Sequence, residues 1–363
     1  METLELKKDK VYLGLKQDIL CGRLPSGGKL PRETDLAREL GVGRITLRAS
    51  LDRLENDGFI RRIHGKGTFV YPDGATTDAA TIMVIHGGGS GFELPWHYIV
   101  PEITRCATEK QLKAFITTDT AINMFSESDI QTFVKSNHIL GIAAVTNNFN
   151  GHEPFLKKIK SAGVPAVITH AWINDAIVTG LPCISVSEKD GWEAAISYLA
   201  GLGHRRIAVI GNPDNNFRHC SRQENKQLLE KYHASPDDSL IRTAKFDRAD
   251  IIETVKAFFA NQTHRPTAIL CYSDFYAIYV YDALKELNLR IPEDVAVMGI
   301  CGYPDARMLN PPLSTIDFGY AKFAEMAVEM LQEPGKWIDP VTGKGKLRLK
   351  PFKLIKRQST EPQ

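Results

Sequence analysis

The sequence predicts a small α+β head followed by a large, bilobed, doubly wound α/β body. Three observations carry that expectation. Apolar residues recur at helical spacing up to residue 57 and then alternate in a basic hairpin ending at Val70. Residues 71–78, Tyr-Pro-Asp-Gly-Ala-Thr-Thr-Asp, are polar and turn-forming, as a linker requires. From residue 80 onward, short β-branched runs alternate with helical stretches, the pattern of parallel sheets covered on both faces. The expected boundaries are therefore a head at 1–70, a linker at 71–79 and a body at 80–363.

In the head, Val11, Leu15 and Ile19 share one helical face, Tyr12 and Leu20 widen it, and Gly22 ends the helix. A break at Leu24-Pro25-Ser26-Gly27-Gly28 follows. The next segment, Leu30-Pro31-Arg32-Glu33-Thr34-Asp35-Leu36-Ala37-Arg38-Glu39-Leu40-Gly41, has proline near its start, acids in its first turn and glycine at its end. Those signals outline a two-turn helix. A third helix is expected over residues 44–57, with Leu47, Leu51 and Leu54 facing inward. The short Gly41-Val42-Gly43 turn makes the pair a helix-turn-helix. Residues 59–63 and 68–70 read as strands around His64-Gly65-Lys66-Gly67, a basic hairpin in the position of a wing.

A winged helix-turn-helix of this kind suits double-stranded DNA. Arg44, Thr46 and Arg48 are expected on the exposed first turns of the third helix, where side chains meet major-groove edges and phosphates. His64, Gly65 and Lys66 would serve at the wing, whereas Arg38 and Arg53 read as surface charges. Charge agrees with this division. Residues 1–70 hold 14 Lys and Arg against 10 Asp and Glu, a net of +4, while the whole chain carries only +2. The rest of the chain is thus slightly acidic, and the anionic partner belongs to the head.

The segment from Pro25 to Val70 resembles the GntR type of winged helix. The matching residues are Leu30-Pro31-x-Glu33, Leu36-Ala37-x-x-Leu40-Gly41-Val42, Arg44-x-Thr46-x-Arg48, Leu51-x-x-Leu54-Glu55-x-x-Gly58 and Gly65-x-Gly67-Thr68-Phe69-Val70. That family commonly has Ser or Ala where Arg32 stands and Arg where Thr34 stands. The resemblance therefore makes both positions DNA-binding candidates, with the basic contact moved to 32. It also implies a homodimer reading a palindromic operator.

In the body, strands are expected at 81–85, 113–117, 139–145, 166–169, 183–186, 206–210, 267–271 and 295–300, with helices such as 192–202 and 275–287 between them. Ligands of such sheets sit beyond the carboxyl ends of the strands. The loop His86-Gly87-Gly88-Gly89-Ser90-Gly91 follows a strand. Phe92 stands where a dinucleotide fingerprint or a nucleophile elbow needs glycine, and no GK[ST] ending follows. It reads as an ordinary strand-to-helix loop. The six cysteines are scattered without a CxxC pair, the ten histidines show no HExxH spacing, and no apolar run approaches membrane-spanning length. No cofactor, metal or membrane partner is expected, and the chain reads as cytoplasmic.

The body's second half is similar to the LacI/GalR type of effector domain, itself periplasmic-binding-protein-like. Tyr198-Leu199-x-x-Leu202-Gly203-His204-Arg205-Arg206-Ile207-Ala208-Val209-Ile210-Gly211, Pro266-Thr267-Ala268-Ile269 with Ser273-Asp274-x-x-Ala277, Ile291-Pro292-Glu293-Asp294-Val295, and Pro311-Pro312-Leu313-Ser314-Thr315-Ile316 carry the likeness. Fused to a GntR-type head, this is the arabinose-repressor arrangement. The resemblance implies two lobes, a small-molecule effector in the cleft, and dimerisation through the body. It places Trp96, His97, His170, Arg218, Arg222, Phe246, Ser273, Phe275 and Tyr320 at the effector. Cys301-Gly302 replaces an Asp that grips sugar hydroxyls in that family, and Asn225 replaces a Gly. The expected function is a ligand-responsive repressor without catalytic residues, with a sugar or sugar derivative as effector. The alternatives are an aminotransferase-like enzyme fused to a winged helix, and a transcriptional activator with a non-sugar effector.

Overall fold

The computed structural model describes residues 4–20, 24, 28–56, 59–63, 65–70, 80–87, 94–213 and 220–361. The head consists of α1 (Leu4–Leu20), α2 (Glu33–Glu39), α3 (Arg44–Asn56), β1 (Ile60–Ile63) and β2 (Gly67–Val70). Val11, Leu15, Leu36, Leu47, Leu51, Leu54, Ile60 and Val70 close into one apolar core. The hairpin pairs antiparallel, Ile60 opposite Val70 and Ile63 opposite Gly67. Its free edge is met by the segment before α2. There Leu30 N–H donates to the Thr68 carbonyl and Val70 N–H to the Gly28 carbonyl, each at 2.8 Å. Gly67 holds φ +115°, a backbone conformation that residues with a side chain rarely adopt, so the turn needs glycine.

The body continues through β3 (Thr81–His86), α4 (Trp96–Glu109), β4 (Lys113–Thr118), α5 (Asp119–Asn123), α6 (Glu127–Ser136), β5 (Ile139–Val145), α7 (Pro154–Ser161), β6 (Ala166–Ala171), α8 (Asp175–Thr179) and β7 (Cys183–Val186). It then runs through α9 (Glu188–Gly201), β8 (Ile207–Gly211), α10 (Arg222–Lys231), β9 (Ile241–Thr243), α11 (Arg248–Phe259), β10 (Ala268–Cys271) and α12 (Asp274–Glu286). The last elements are β11 (Ala296–Cys301), β12 (Ser314–Asp317), α13 (Tyr320–Gln332), β13 (Leu347–Lys350) and β14 (Lys353–Ile355).

These strands form two six-stranded sheets, ordered β13-β7-β6-β5-β3-β4 and β14-β12-β11-β10-β8-β9. The β3–β4, β3–β5 and β5–β6 pairs are parallel, as are β8–β9, β8–β10, β10–β11 and β11–β12; β14 is antiparallel to β12. The chain divides into two compact units, residues 1–183 with 324–347, and residues 184–323 with 348–363. In both sheets the first body strand of the unit lies inside, the second on one flank and the third on the other. That order places a topological switch point between β3 and β5 in one unit and between β8 and β10 in the other.

Every expected strand is present, within two residues at its ends. Four others, β9, β12, β13 and β14, were not expected as strands; they are three or four residues long, three of them are sheet edges, and β12 lies next to one. Helix α9 begins at Glu188, four residues before the expected start, because the Ser187 side chain caps it by accepting from Asp190 N–H. Among the described residues, no helix is long and apolar enough to cross a membrane, and no group of His, Cys, Asp and Glu could hold a metal.

Candidate nucleic-acid interface and effector-binding surfaces

Helix α3 turns Leu47, Leu51 and Leu54 into the head's core and leaves Arg44, Ile45, Arg48, Ala49 and Asp52 exposed. One expectation fails here. Thr46 is only 6% exposed, so it is not on the open face. Residues 46 and 50 sit one position behind 47 and 51 on the helix wheel, and α1 packs across that flank. Ser50 Oγ donates to the Lys8 carbonyl at 2.7 Å and to the Thr46 carbonyl at 3.0 Å, sealing the seam. The buried arc of α3 is thus wider than its leucines suggest.

Arg48 pairs with Glu33 of α2 at 2.7 Å, and this hydrogen-bonded pair raises the guanidinium's pKa further. Arg32, Thr34, Gly65 and Lys66 are all exposed. His64 and Arg218 lie outside the described residues. Arg38 and Arg53 are surface ion pairs with Asp35 at 3.6 Å and Asp9 at 3.0 Å, and Arg53 also lies 4.0 Å from the Tyr12 ring centre.

In the first body unit a cavity of about 170 Å3 opens at the β3/β5 switch point. It is lined by Gly87, Leu94, Pro95, Trp96, Val145, Thr146, Asn147 and His170. Trp96, the first residue of α4, stacks on His86 at 4.2 Å and on His97 at 3.6 Å. Much of its ring face is therefore taken by the two imidazoles. Its indole N–H is buried with no acceptor among the described residues. An acceptor oxygen brought by a ligand would satisfy it.

His170 is 4% exposed, with φ +66°, a conformation rare outside glycine and asparagine. The Asn147 amide lies 3.2 Å from its Nδ1 and donates to its carbonyl at 3.2 Å. Behind them Asp175 accepts from the backbone N–H of Asn148, Phe149 and Trp172, fixing the loops that frame the cavity. Burial raises its carboxyl pKa, and those three donors oppose the shift.

The second unit gathers aromatic rings at the corresponding strand ends. Phe246 sits near Phe275, Tyr276 and Tyr279, at 6.3, 5.4 and 5.7 Å between ring centres. Phe275 continues to Tyr303 at 4.8 Å, and Tyr303 stacks on Tyr320 at 5.4 Å. Phe275 and Tyr320 are each 5% exposed, so they serve mainly as the floor of this cluster, while Phe246 is half-buried. Ser273 is buried at the N-cap of α12.

Cys301, in place of the sugar-gripping Asp, is fully buried at φ +104°. A Cβ on the following Gly302 would strike Asp317, so this corner admits no bulkier residue. Burial pushes the Cys183 and Cys220 thiols up to about 12, leaving them unreactive.

Arg222 departs from its expected role. Its guanidinium donates to the carbonyls of Asp238 at 3.3 Å and Ile241 at 2.7 Å and lies 3.6 Å from the Asp238 carboxylate, with its side chain 61% exposed. Ile241 pairs with Val209, two residues short of the strand end, so these contacts hold Arg222 along the sheet's flank. Asn225 explains its own departure, since its Oδ1 accepts from the buried Trp192 Nε1 at 2.7 Å. Sequence reasoning missed Ile45, Asn147, Tyr272 and Tyr303. Tyr272 directly follows β10, and Asn147 and Tyr303 lie two residues past β5 and β11; a place just beyond a strand's carboxyl end was the available signal.

A basic helix-turn-helix joined to a body with two switch-point surfaces is the architecture of a ligand-responsive transcription regulator. The comparisons specify it further. Residues 7–70 match the gntR family of bacterial regulatory proteins, and residues 196–360 match a periplasmic binding protein-like domain. The chain thus joins a winged helix that matches the gntR family to a body whose second half matches a periplasmic binding protein-like domain.

It is 24% identical over 332 residues to the arabinose metabolism transcriptional repressor of Geobacillus stearothermophilus, covering 88% of this chain and 90% of that one. It is 34% identical over 142 residues to the ribose operon repressor of Haemophilus influenzae, covering 39% and 42%. Among solved structures, a LacI-family regulatory protein from Chloroflexus aggregans superposes with a TM-score of 0.60 at 20% identity, covering 77% of this chain and 98% of that one.

Proposed function

We propose that this protein is a cytoplasmic, dimeric repressor that leaves its operator when a sugar or sugar derivative binds the body. The observation that carries the reading is the exposed Arg44 and Arg48 face of α3, on a chain similar over most of its length to an arabinose-metabolism repressor. Arg44 and Arg48 reach base edges, while Arg32, Thr34, Gly65 and Lys66 hold phosphates. Two heads on one palindrome supply the contact area that a single head lacks.

The cavity lined by Trp96, Asn147 and His170, with His97 stacked beside Trp96, takes ligand oxygens. The half-buried Phe246, on its floor of Phe275 and Tyr320 beside Ser273, offers a ring face to a sugar's C–H face. Coupling between effector and operator is worth about 1–3 kcal/mol, or about 5–150-fold in affinity.

The test selects operators from random DNA with the full-length protein and then titrates arabinose, other pentoses, hexoses and uronic acids against the complex. Release by one sugar class, matched by a thermal shift without DNA, is the expected result. Arg44→Ala should lose about tenfold or more in operator affinity and keep that thermal shift. Failure of every sugar in both assays sinks the effector class. Unchanged operator affinity in Arg44→Ala sinks the assignment of α3.

A further inference from the structure

Ile45 is 80% exposed, more than any other large apolar side chain among the described residues of the head. It projects from the first turn of α3, between the exposed Arg44 and Arg48. Nothing shields it. Gly43 precedes it without a side chain and with open space around its Cβ position, and the next exposed residue one turn on is the small Ala49. Leu47 and Leu51 already fill the core, so the fold gains nothing from isoleucine at 45. An isolated branched hydrocarbon in water is ordinary on a protein surface. Flanked by cations on a helix that enters a major groove, it has a specific complement. Thymine is the one base that presents a methyl group there, and a β-branched side chain holds its methyl groups in a nearly fixed rotamer.

We propose that Ile45 determines operator sequence by packing on a thymine C5-methyl in each half-site, with Arg44 and Arg48 fixing the register from either side. This rests on α3 being the helix that enters the groove. The partner is double-stranded DNA with a thymine at one fixed position per half-site. Phosphates cannot supply this contact, because Ile45 has no polar side-chain atom.

The test takes the operator selected by full-length protein and replaces each thymine in turn, in both half-sites, with deoxyuridine, which lacks only the methyl group. At one position the wild-type protein should lose about fourfold in affinity per methyl removed. At the same position Ile45→Ala should show no difference between thymine and deoxyuridine. Because residue 45 is exposed, the variant's melting temperature should match the wild type, and its effector-induced thermal shift should persist.

The proposal is overturned if no thymine position distinguishes wild type from Ile45→Ala, or if Ile45→Ala selects the same operator with the same affinity. Failure of the underlying reading looks different: Arg44→Ala would then bind the operator as the wild type does.

Discussion

The head and the body are built from different balances of the same interactions. In the head the seam between α1, α2, α3 and the wing is almost wholly apolar, and its charges pair at the surface, as Arg48 does with Glu33 and Arg62 with Asp52 and Glu55. Such solvent-exposed pairs are screened and contribute little to stability. In the body, buried polar groups tie strand ends to the helices above them. Asp175 binds three backbone N–H groups, Asn225 holds Trp192, and Asp274 accepts from Thr315 Oγ1 at 2.6 Å and Tyr303 N–H at 2.7 Å. The head spends its cations outward, toward a polyanion. The body spends its polar groups inward, holding strand ends in one geometry for a ligand. Each half therefore breaks in its own way.

The largest expected effect tests the head's small core. Leu51, 1% exposed, is enclosed by residues of α1, α2 and the hairpin. Leu51→Ala should cost about 2–5 kcal/mol, while a core of this size supplies about 3–5 kcal/mol in all. The head should unfold or nearly so, and operator binding should vanish. Calorimetry should then show the body's transition unmoved and still raised by effector. A parallel fall in that transition would show that the two parts do not melt independently.

Asp274 tests the body. Burial pushes its carboxyl up to about 7, while the Thr315 hydroxyl, the Tyr303 N–H and the field of Arg357 resist that shift. The folded value lies above an unfolded one of about 3.9, so the protonated form favours folding. Its contribution is complete below pH 4 and is lost as pH rises from about 4 to 7, by at most about 1.4 kcal/mol per pH unit. Denaturant unfolding of the body between pH 4.5 and 8, compared with Asp274→Asn, isolates that slope. An identical slope in the variant would assign it to other groups.

A smaller loss should follow Trp192→Phe. It removes the donor to Asn225 Oδ1 but leaves Asn225 Nδ2 donating to the Cys220 and Ser221 carbonyls at 3.1 and 3.0 Å. One stranded buried acceptor costs about 1–3 kcal/mol. The body should melt several degrees lower, and operator affinity without effector should hold. Equal melting temperatures would mean that Asn225 finds another donor.

These targets also show what the sequence could carry. Periodicity marked the leucines of α3, and β-branched runs marked eight body strands, seven of them inside their sheets and β4 at an edge. It misplaced Thr46, since only the packing of α1 across a second flank decides that residue's side. Missed were β9, β12, β13 and β14, where charged or polar residues break up the short apolar runs. The resemblance placed Arg222 at the effector, and nothing local in the sequence reveals that carbonyls 16 and 19 positions onward hold it. Positions just after strands, Asn147 and Tyr303 among them, became meaningful once sheet order located the switch points.

The smallest effect separates two kinds of head contact. Lys66 stands exposed in the wing between Gly65 at φ +75° and Gly67 at φ +115°. Its reach is to phosphate, which carries no sequence, whereas Ile45 can only touch a base. Lys66→Ala should therefore weaken operator and random DNA alike and lower the slope of log affinity against log salt by about 1 for each head. At high salt the deficit should fade, because a counterion released into concentrated salt gains less entropy. Ile45→Ala should show the converse, a salt slope unchanged and a loss confined to one base pair per half-site. Should Lys66→Ala alter base preference while leaving the salt slope intact, the wing would be a sequence reader. The head's division of labour between α3 and the hairpin would then have to be reversed.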